Sequence, residues 1–297
     1  MDILTIKNLK KSFGKKQVLR GLDLSVPEHS IFGFVGRNGA GKTTTMKSVL
    51  GLLMPDEGEI YVAGERVRYG ETPTNRYIGY LPDVPEFYSF MNAREYLSLC
   101  GETMNMQRND IESRSAELLA LVGLEGEYHR IKGFSRGMKQ RLGIAQALLG
   151  QPKLLICDEP TSALDPIGRK EILDLLLSVK DRTTVLFSTH ILSDVERICT
   201  DVALLENGVI AMQGAAGELR KISHSDDFRI EVLDGADEII KEFPDSRLGE
   251  NGEIILSGGD ARVFEALEFI RQRRIPFQKI EREGSSLESL FVEVVGK

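Results

Sequence analysis

The chain has 297 residues, 41% of them hydrophobic and 28% charged, as expected of a globular protein with a real core, long enough for one large domain or one domain plus a small one. Its 38 Lys and Arg stand against 45 Asp and Glu, a net charge of −7, which argues against nucleic acid as a partner because such proteins carry a basic excess. Cys100, Cys157 and Cys199 are scattered and odd in number, the start "MDILTIKNLKKSF" has no signal-peptide apolar run, and no apolar stretch approaches the ~20 residues that cross a bilayer, so a reduced cytosolic protein is expected, with any membrane spans supplied by other chains.

In chain order, "ILTIKNLKKSF" and "KQVLRGLDLSVPEHS" are strand-like segments broken by turn residues. "SIFGFVG" is a short apolar run of the kind that forms a buried strand. Residues 36–43, "GRNGAGKT", follow it as G-x-x-x-x-G-K-T and precede a helical pattern with Met46, Val49, Leu50 and Leu53 on one face. The glycines let backbone N–H groups wrap closely around phosphates. Lys42 is placed for the β- and γ-phosphates of a nucleotide, and the Thr43 hydroxyl for Mg²⁺. "EGEIYVAGERV" reads as a strand, a turn and a second strand.

From about residue 90 to 150 the pattern is helical. Asn92 and Glu95 have capping-box spacing, and "DIESRSAELLALVG" is a periodic helix stopped by Gly123. "FSRGMKQR" (134–141) opens another helix, with Ser135 and Gly137 at its start. Such a start is either a capped terminus or a place to hold an anion, and the stretch by itself does not decide.

"KLLICDEP" and "TTVLFSTH" are apolar runs ending in polar residues. In phosphate-loop nucleotidases a strand-end Asp holds Mg²⁺, and Asp158 fits that place; Glu159 follows where a carboxylate can orient or deprotonate the attacking water. His190 sits just past a buried strand, where an imidazole can contact a γ-phosphate, because ligands of open α/β sheets bind at the carboxyl ends of the strands. His29, His129 and His224 lie in polar, turn-like stretches and carry no such expectation. Asn207-Gly208 between two apolar runs is a hairpin signal. After "RKISHSDD", a polar linker, the pattern restarts: "FRIEVL", "EIILS" and "FQKIERE" are strand candidates, "ARVFEALEFIRQ" is amphipathic, and "SSLESLFVEVV" has a capping-box start at Ser285 and Glu288. Residues 1–222 and 223–297 are therefore expected to form separate domains, the second small and α/β, with a helical part at about 84–150 in the first.

The order of these segments (phosphate loop, helical insert ending in "FSRGMKQR", then "CDEPTSALD", then "STH") resembles the nucleotide-binding subunit of an ABC transporter over residues 1–220. The resemblance implies an α/β phosphate-loop ATPase domain with a mixed sheet core, an antiparallel β subdomain and a helical insert. It implies ATP and Mg²⁺ as ligands, with Gly36, Arg37, Asn38, Gly39, Ala40, Gly41, Lys42, Thr43 and Thr44 around the phosphates, and Phe13 stacked on adenine near Val18. It implies that "FSRGMKQR" is the signature segment and acts on the nucleotide of a second subunit through Ser135, Arg136, Gly137 and Met138. "SALD" matches a loop that touches that subunit, with Asp165 as its last member. Compared with the usual L-S-G-G-Q, Phe134, Arg136 and Met138 are departures, while Ser135 and Gly137 are kept. In "YIGYLPD" the position of a family Gln is taken by Asp83, a Mg²⁺ ligand by chemistry that cannot donate a hydrogen bond when ionised.

The implied protein is an ATPase that pairs with a second copy and drives separate permease chains from the inner face of the cell membrane. Val84, Phe87 and Tyr88 suit either the groove for a permease helix or ordinary packing. The small C-terminal domain is loosely similar to tails of exporter-type ATPase subunits, which favours export, and it could dimerise, regulate or cover an edge. A DNA-repair ATPase would need a long coiled coil between the phosphate loop and signature, and a ribosome-associated factor would carry two cassettes. A catalytically dead regulatory module is opposed by Lys42, Asp158, Glu159 and His190.

Overall fold

The computed structural model describes residues 1–70, 73–222, 227–249 and 252–282, with Leu287, Leu290 and Phe291. The chain divides into two compact units, Met1–Ala216 and Gly217–Lys297.

In the first unit, β1 (Asp2–Phe13) and β2 (Lys16–Pro27) form a long hairpin, followed by β3 (Ile31–Gly36), α1 (Lys42–Val49), β4 (Glu57–Val62), β5 (Glu65–Arg66) and β6 (Ile78–Leu81). Three helices come next: α2 (Ala93–Thr103), α3 (Arg108–Leu121) and α4 (Arg136–Leu148). The unit ends with β7 (Leu154–Asp158), α5 (Pro166–Ser178), β8 (Thr184–Thr189), α6 (Leu192–Ile198), β9 (Asp201–Glu206) and β10 (Val209–Ala215). One sheet is antiparallel, in the order β2-β1-β4-β5; the other is β10-β9-β3-β8-β7-β6, parallel except for β10 at its edge. Strands β3, β7 and β8 are buried along their whole length, which is why each has a continuous apolar stretch, residues 31–35, 154–157 and 185–187.

Between the two sheets lies a core that includes Ile6, Leu24, Phe32, Phe34, Met46, Ile156 and Leu205. The alternation of β1 supplies one side of it, with Ile6 opposite Leu24 on β2 and Ile60 on β4. Helix α1 stops at Val49, so Leu53 lies beyond it and is half-buried rather than continuing the helical face. The Asn92–Glu95 capping box at the start of α2 has both of its hydrogen bonds, each 2.9 Å. At Asn207-Gly208 both residues have positive φ, 47° and 81°, as a tight primed turn between right-twisted strands requires.

The register of the parallel strands matters for function. Asp158 at the end of β7 pairs with Ser188 on β8, and Val35 on β3 pairs with Thr189. The carboxyl ends of three strands therefore open on one edge of the sheet, beside the loop between β3 and α1.

The second unit begins within α7 (Ala216–Ile222) and continues with β11 (Phe228–Val232), α8 (Ala236–Glu242), β12 (Arg247–Leu248), β13 (Ile254–Leu256), α9 (Gly259–Arg273) and β14 (Phe277–Arg282). Its four strands form an antiparallel sheet ordered β12-β13-β11-β14. Ile230, Ile254 and Leu256 pack with Ile239, Phe243, Ala266 and Ile270. Of the linker expected at "RKISHSDD", the first three residues belong to α7, and 223–226 lie outside the described residues. Ser285 and Glu288 of the expected last helix lie outside them too; Leu287 and Leu290 are buried.

Candidate functional site

A cavity of about 490 Å³ opens at the carboxyl edge of the parallel sheet, lined by Lys16, Val18, Asn38, Gly39, Gly41, Lys42, Thr43, Thr44, Asp83, Glu159, Ser162 and His190. One wall is the start of α1. Its N-cap is Gly41, at φ 118°, with no side-chain cap. A β-carbon there would come within 2.7 Å of Leu19, so both the backbone angle and the space demand glycine. The first N–H groups of a helix have no intrahelical acceptor and carry partial positive charge, so this helix start is made to receive an anion. Lys42 is nearly buried and lies beside it: Nζ donates to the Gly36 carbonyl at 2.7 Å and stands 3.2 Å from Glu159 Oε1.

Asp158 is buried with both oxygens engaged. Thr43 Oγ1 donates to Oδ2 at 2.7 Å, and Ser188 Oγ donates to Oδ1 at 2.6 Å. Burial pushes the neighbouring Tyr80 hydroxyl up to about 12, with the Asp158 charge adding to the effect. Glu159 has a left-handed backbone, φ 49°, and its N–H donates to Ser188 Oγ at 3.0 Å. Its other oxygen, Oε2, lies 2.9 Å from His190 Nδ1. Lys42, Glu159 and His190 thus form one contact chain across the cavity. Ser188 was not singled out in the sequence. A hydroxyl inside a fully buried strand, two residues before His190, was the available signal. Lys16 and Ser162 on the wall were also missed, and nothing local marks them.

The remaining candidates are placed as follows. Val18 lines the cavity, but Phe13 does not: it ends β1 with half its surface exposed, its ring 5.6 Å from Lys11 Nζ. Arg37 and Ala40 face an adjoining cavity of about 320 Å³ with Arg20 and Asn207. Gly36 packs tightly against β9 at the loop's base. Ser135 is the N-cap of α4, its hydroxyl accepting from Met138 N at 3.2 Å, and with Arg136, Gly137 and Met138 it lies off the cavity wall. Asp165 caps α5 by accepting from Gly168 N at 2.7 Å. Two of the departures noted in the sequence meet: Arg136 Nη2 is 3.8 Å from Asp83 Oδ1, an oxygen with no hydrogen-bond partner. Both side chains are about half exposed, so this pair is worth at most about 1 kcal/mol.

Mg²⁺ fits this donor set. Thr43 and Asp158 offer hard oxygens in contact, and Asp83 brings a further carboxylate to the cavity wall. Among the described residues no group of three or more His, Cys, Asp or Glu forms a metal cage of its own.

Comparison with known proteins gives a consistent result. The family model "ABC transporter" matches residues 19–162. YxlF of Bacillus subtilis (strain 168), an uncharacterized ABC transporter ATP-binding protein, is 37% identical over 99% of this chain and 99% of its own length. BcrA of Bacillus licheniformis, a bacitracin transport ATP-binding protein, is 35% identical over 99% of this chain and 97% of its own. The solved structure of an ATP-binding subunit of an ABC transporter superposes with a TM-score of 0.66 at 32% identity, over 74% of this chain and 92% of that one.

Proposed function

This chain belongs to the ABC transporter family as an ATP-binding, ATP-hydrolysing subunit that uses Mg²⁺ and works with membrane permease chains, and on that premise we propose that two copies close head to tail, each completing the other's ATP site, to drive export through separate permease chains. One observation carries this reading. The cavity of one copy is lined by Asn38, Gly39 and Gly41 to Thr44 of the phosphate loop, by Asp83 and Glu159, and by His190, yet Ser135 and Gly137 lie off its wall, on an exposed helix start. An isologous pair supplies the missing donors across a two-fold axis.

In this cycle the start of α1 and Lys42 bind the β- and γ-phosphates. Thr43, Asp158 and Asp83 hold the cation, which when bound neutralises phosphate charge. Glu159 orients the attacking water and accepts its proton; Lys42 and His190, on its two oxygens, fix the direction in which it points. His190 steadies the γ-phosphate through its free ring nitrogen. Ser135 and Gly137 of the second copy, flanked by Arg136 and Met138, donate to the same γ-phosphate, and Asp165 lies in the loop that touches that copy. Val18 and Phe13 attend the base, Phe13 by folding over it from the end of β1. Loss of the γ-phosphate removes the bridge between copies and lets them part.

Permease contact is assigned to the segment after Asp83, where Val84, Tyr88 and Phe90 are exposed and Phe87 packs edge-to-face on Tyr96 of α2 at 5.0 Å. Among the described residues no helix is long and apolar enough to cross a membrane; the proposal assigns the spans to partner chains and the subunit to the membrane's inner face. The match to a bacitracin transport ATP-binding protein over 99% of this chain favours a cargo of that chemical kind. The test is Glu159→Gln: it should bind ATP, hydrolyse it about 10²–10⁴ times more slowly, and elute as a dimer only with ATP. A variant that stays monomeric with ATP, with the permease chains present, would overturn the two-copy site.

A further inference from the structure

Asp194 has no part in the cycle above, yet it is 2% exposed in α6, four residues past His190. A carboxylate so placed is costly unless its oxygens are engaged. Both are. Oδ2 accepts from Thr161 Oγ1 at 2.7 Å, and Oδ1 accepts from Arg169 Nε at 2.6 Å. Arg169 also reaches Ser193 Oγ, through Nη2 at 3.0 Å. The two donors bracket the segment that leaves the active site. Thr161 is itself buried, two residues past Glu159 and one before Ser162 of the cavity wall; Arg169 lies in α5 just beyond Asp165.

We propose that Asp194 is a positioning residue for hydrolysis. Its two bonds fasten the loop of Ser162 and Asp165 to the helix that follows His190, and so hold Glu159 and His190 within the 2.9 Å contact on which the orientation of the water depends. The loop that meets the second copy is thereby seated on the element that carries the γ-phosphate histidine. This proposal rests on the two-copy hydrolytic reading and adds a residue to it. The chemistry is sensitive to such alignment: a displacement of about 1 Å costs about 10²-fold in rate.

The test uses the full chain. Asp194→Asn keeps the shape and removes the charge. Its kcat should fall about 10- to 100-fold, while KM and the Kd for a fluorescent ATP analogue stay within about threefold. Asp194→Asn combined with Arg169→Gln removes both charges, so the thermal midpoint lost in the single variant should return while kcat stays low. Recovery of kcat together with the midpoint would reduce Asp194 to a structural staple and overturn the proposal, as would a single variant with the wild-type kcat. If Asp194→Asn does not fold, Thr161→Val removes one hydroxyl and should lower kcat with KM unchanged; a wild-type kcat there overturns the proposal as well. Failure of the wild-type protein to hydrolyse ATP would count against the reading of the site, which separates the two ideas.

Discussion

Helices α1 and α4 both begin in glycine-containing loops, and their beginnings are opposite in design. Helix α1 starts at a glycine with no side-chain cap, inside a cavity, with a lysine beside it. Helix α4 starts at Ser135, whose hydroxyl already accepts from Met138 N, on an exposed surface. The first leaves its N–H groups free for a ligand of the same chain. The second has its cap made within its own chain, a bond worth about 1 kcal/mol, and because the hydroxyl accepts there, its own proton remains available to donate to a phosphate without breaking that cap. Phosphate offers charge-assisted bonds about twice as strong as neutral ones, so in the proposed pair the cap is kept and a phosphate bond is added to it. In that proposal one terminus serves the nucleotide of its own chain and the other that of the partner.

Three substitutions sharpen this contrast, and a pH series extends it. Lys42→Ala removes the cation from the open terminus and should abolish most nucleotide affinity, read by equilibrium binding of a fluorescent ATP analogue. Ser135→Arg blocks the closed terminus and should abolish hydrolysis while leaving ATP binding by the single chain intact; loss of binding as well would mean the two termini are not separate sites. Asp83→Ala should weaken Mg²⁺ dependence and also free Arg136 from its half-exposed pair; if neither Asp83→Ala nor Asp83→Gln differs from wild type in ATPase rate or Mg²⁺ affinity, Asp83 holds no metal. The smallest effect concerns Cys157, next to Asp158. Burial pushes its thiol above the ordinary range, with the Asp158 charge adding. A raised folded value contributes stability that is full below the unfolded value, about 9, and is lost as pH rises beyond it. Thermal midpoints between about pH 8 and 10.5 should therefore decline more steeply in wild type than in Cys157→Ala.

What could be read from the sequence depended on whether the physics was local. The phosphate loop, the acidic end of β7 and the Asn-Gly turn are each written within a few consecutive residues, because strand burial and backbone geometry act at that range. Both helix beginnings could be located, but the cap made by Ser135 and the free end at Gly41 could not be told apart, since that difference lies in the fold. Ser188, Thr161, Asp194 and Arg169 were not legible as a group. Their bonds join positions about 25 to 33 residues apart, and each residue taken singly is an ordinary polar side chain. Phe13 could be identified as an aromatic but not placed, because whether the end of β1 lies on the cavity wall depends on how the strands pack; it is half exposed and off that wall. In the second unit, α8 and β12 were not anticipated; both are short, and β12 is held in register by only two pairs with β13.

The backbone at Glu159 has a consequence for how this sequence can change. Its left-handed conformation suits glycine or asparagine and costs a residue of this type on the order of 1 kcal/mol. Selection for stability alone would thus push position 159 toward a residue that fits the turn better and performs no chemistry. If Glu159 has the role proposed for it, a chain freed from selection for hydrolysis would be expected to drift there first, becoming a sturdier protein that still holds ATP and no longer spends it.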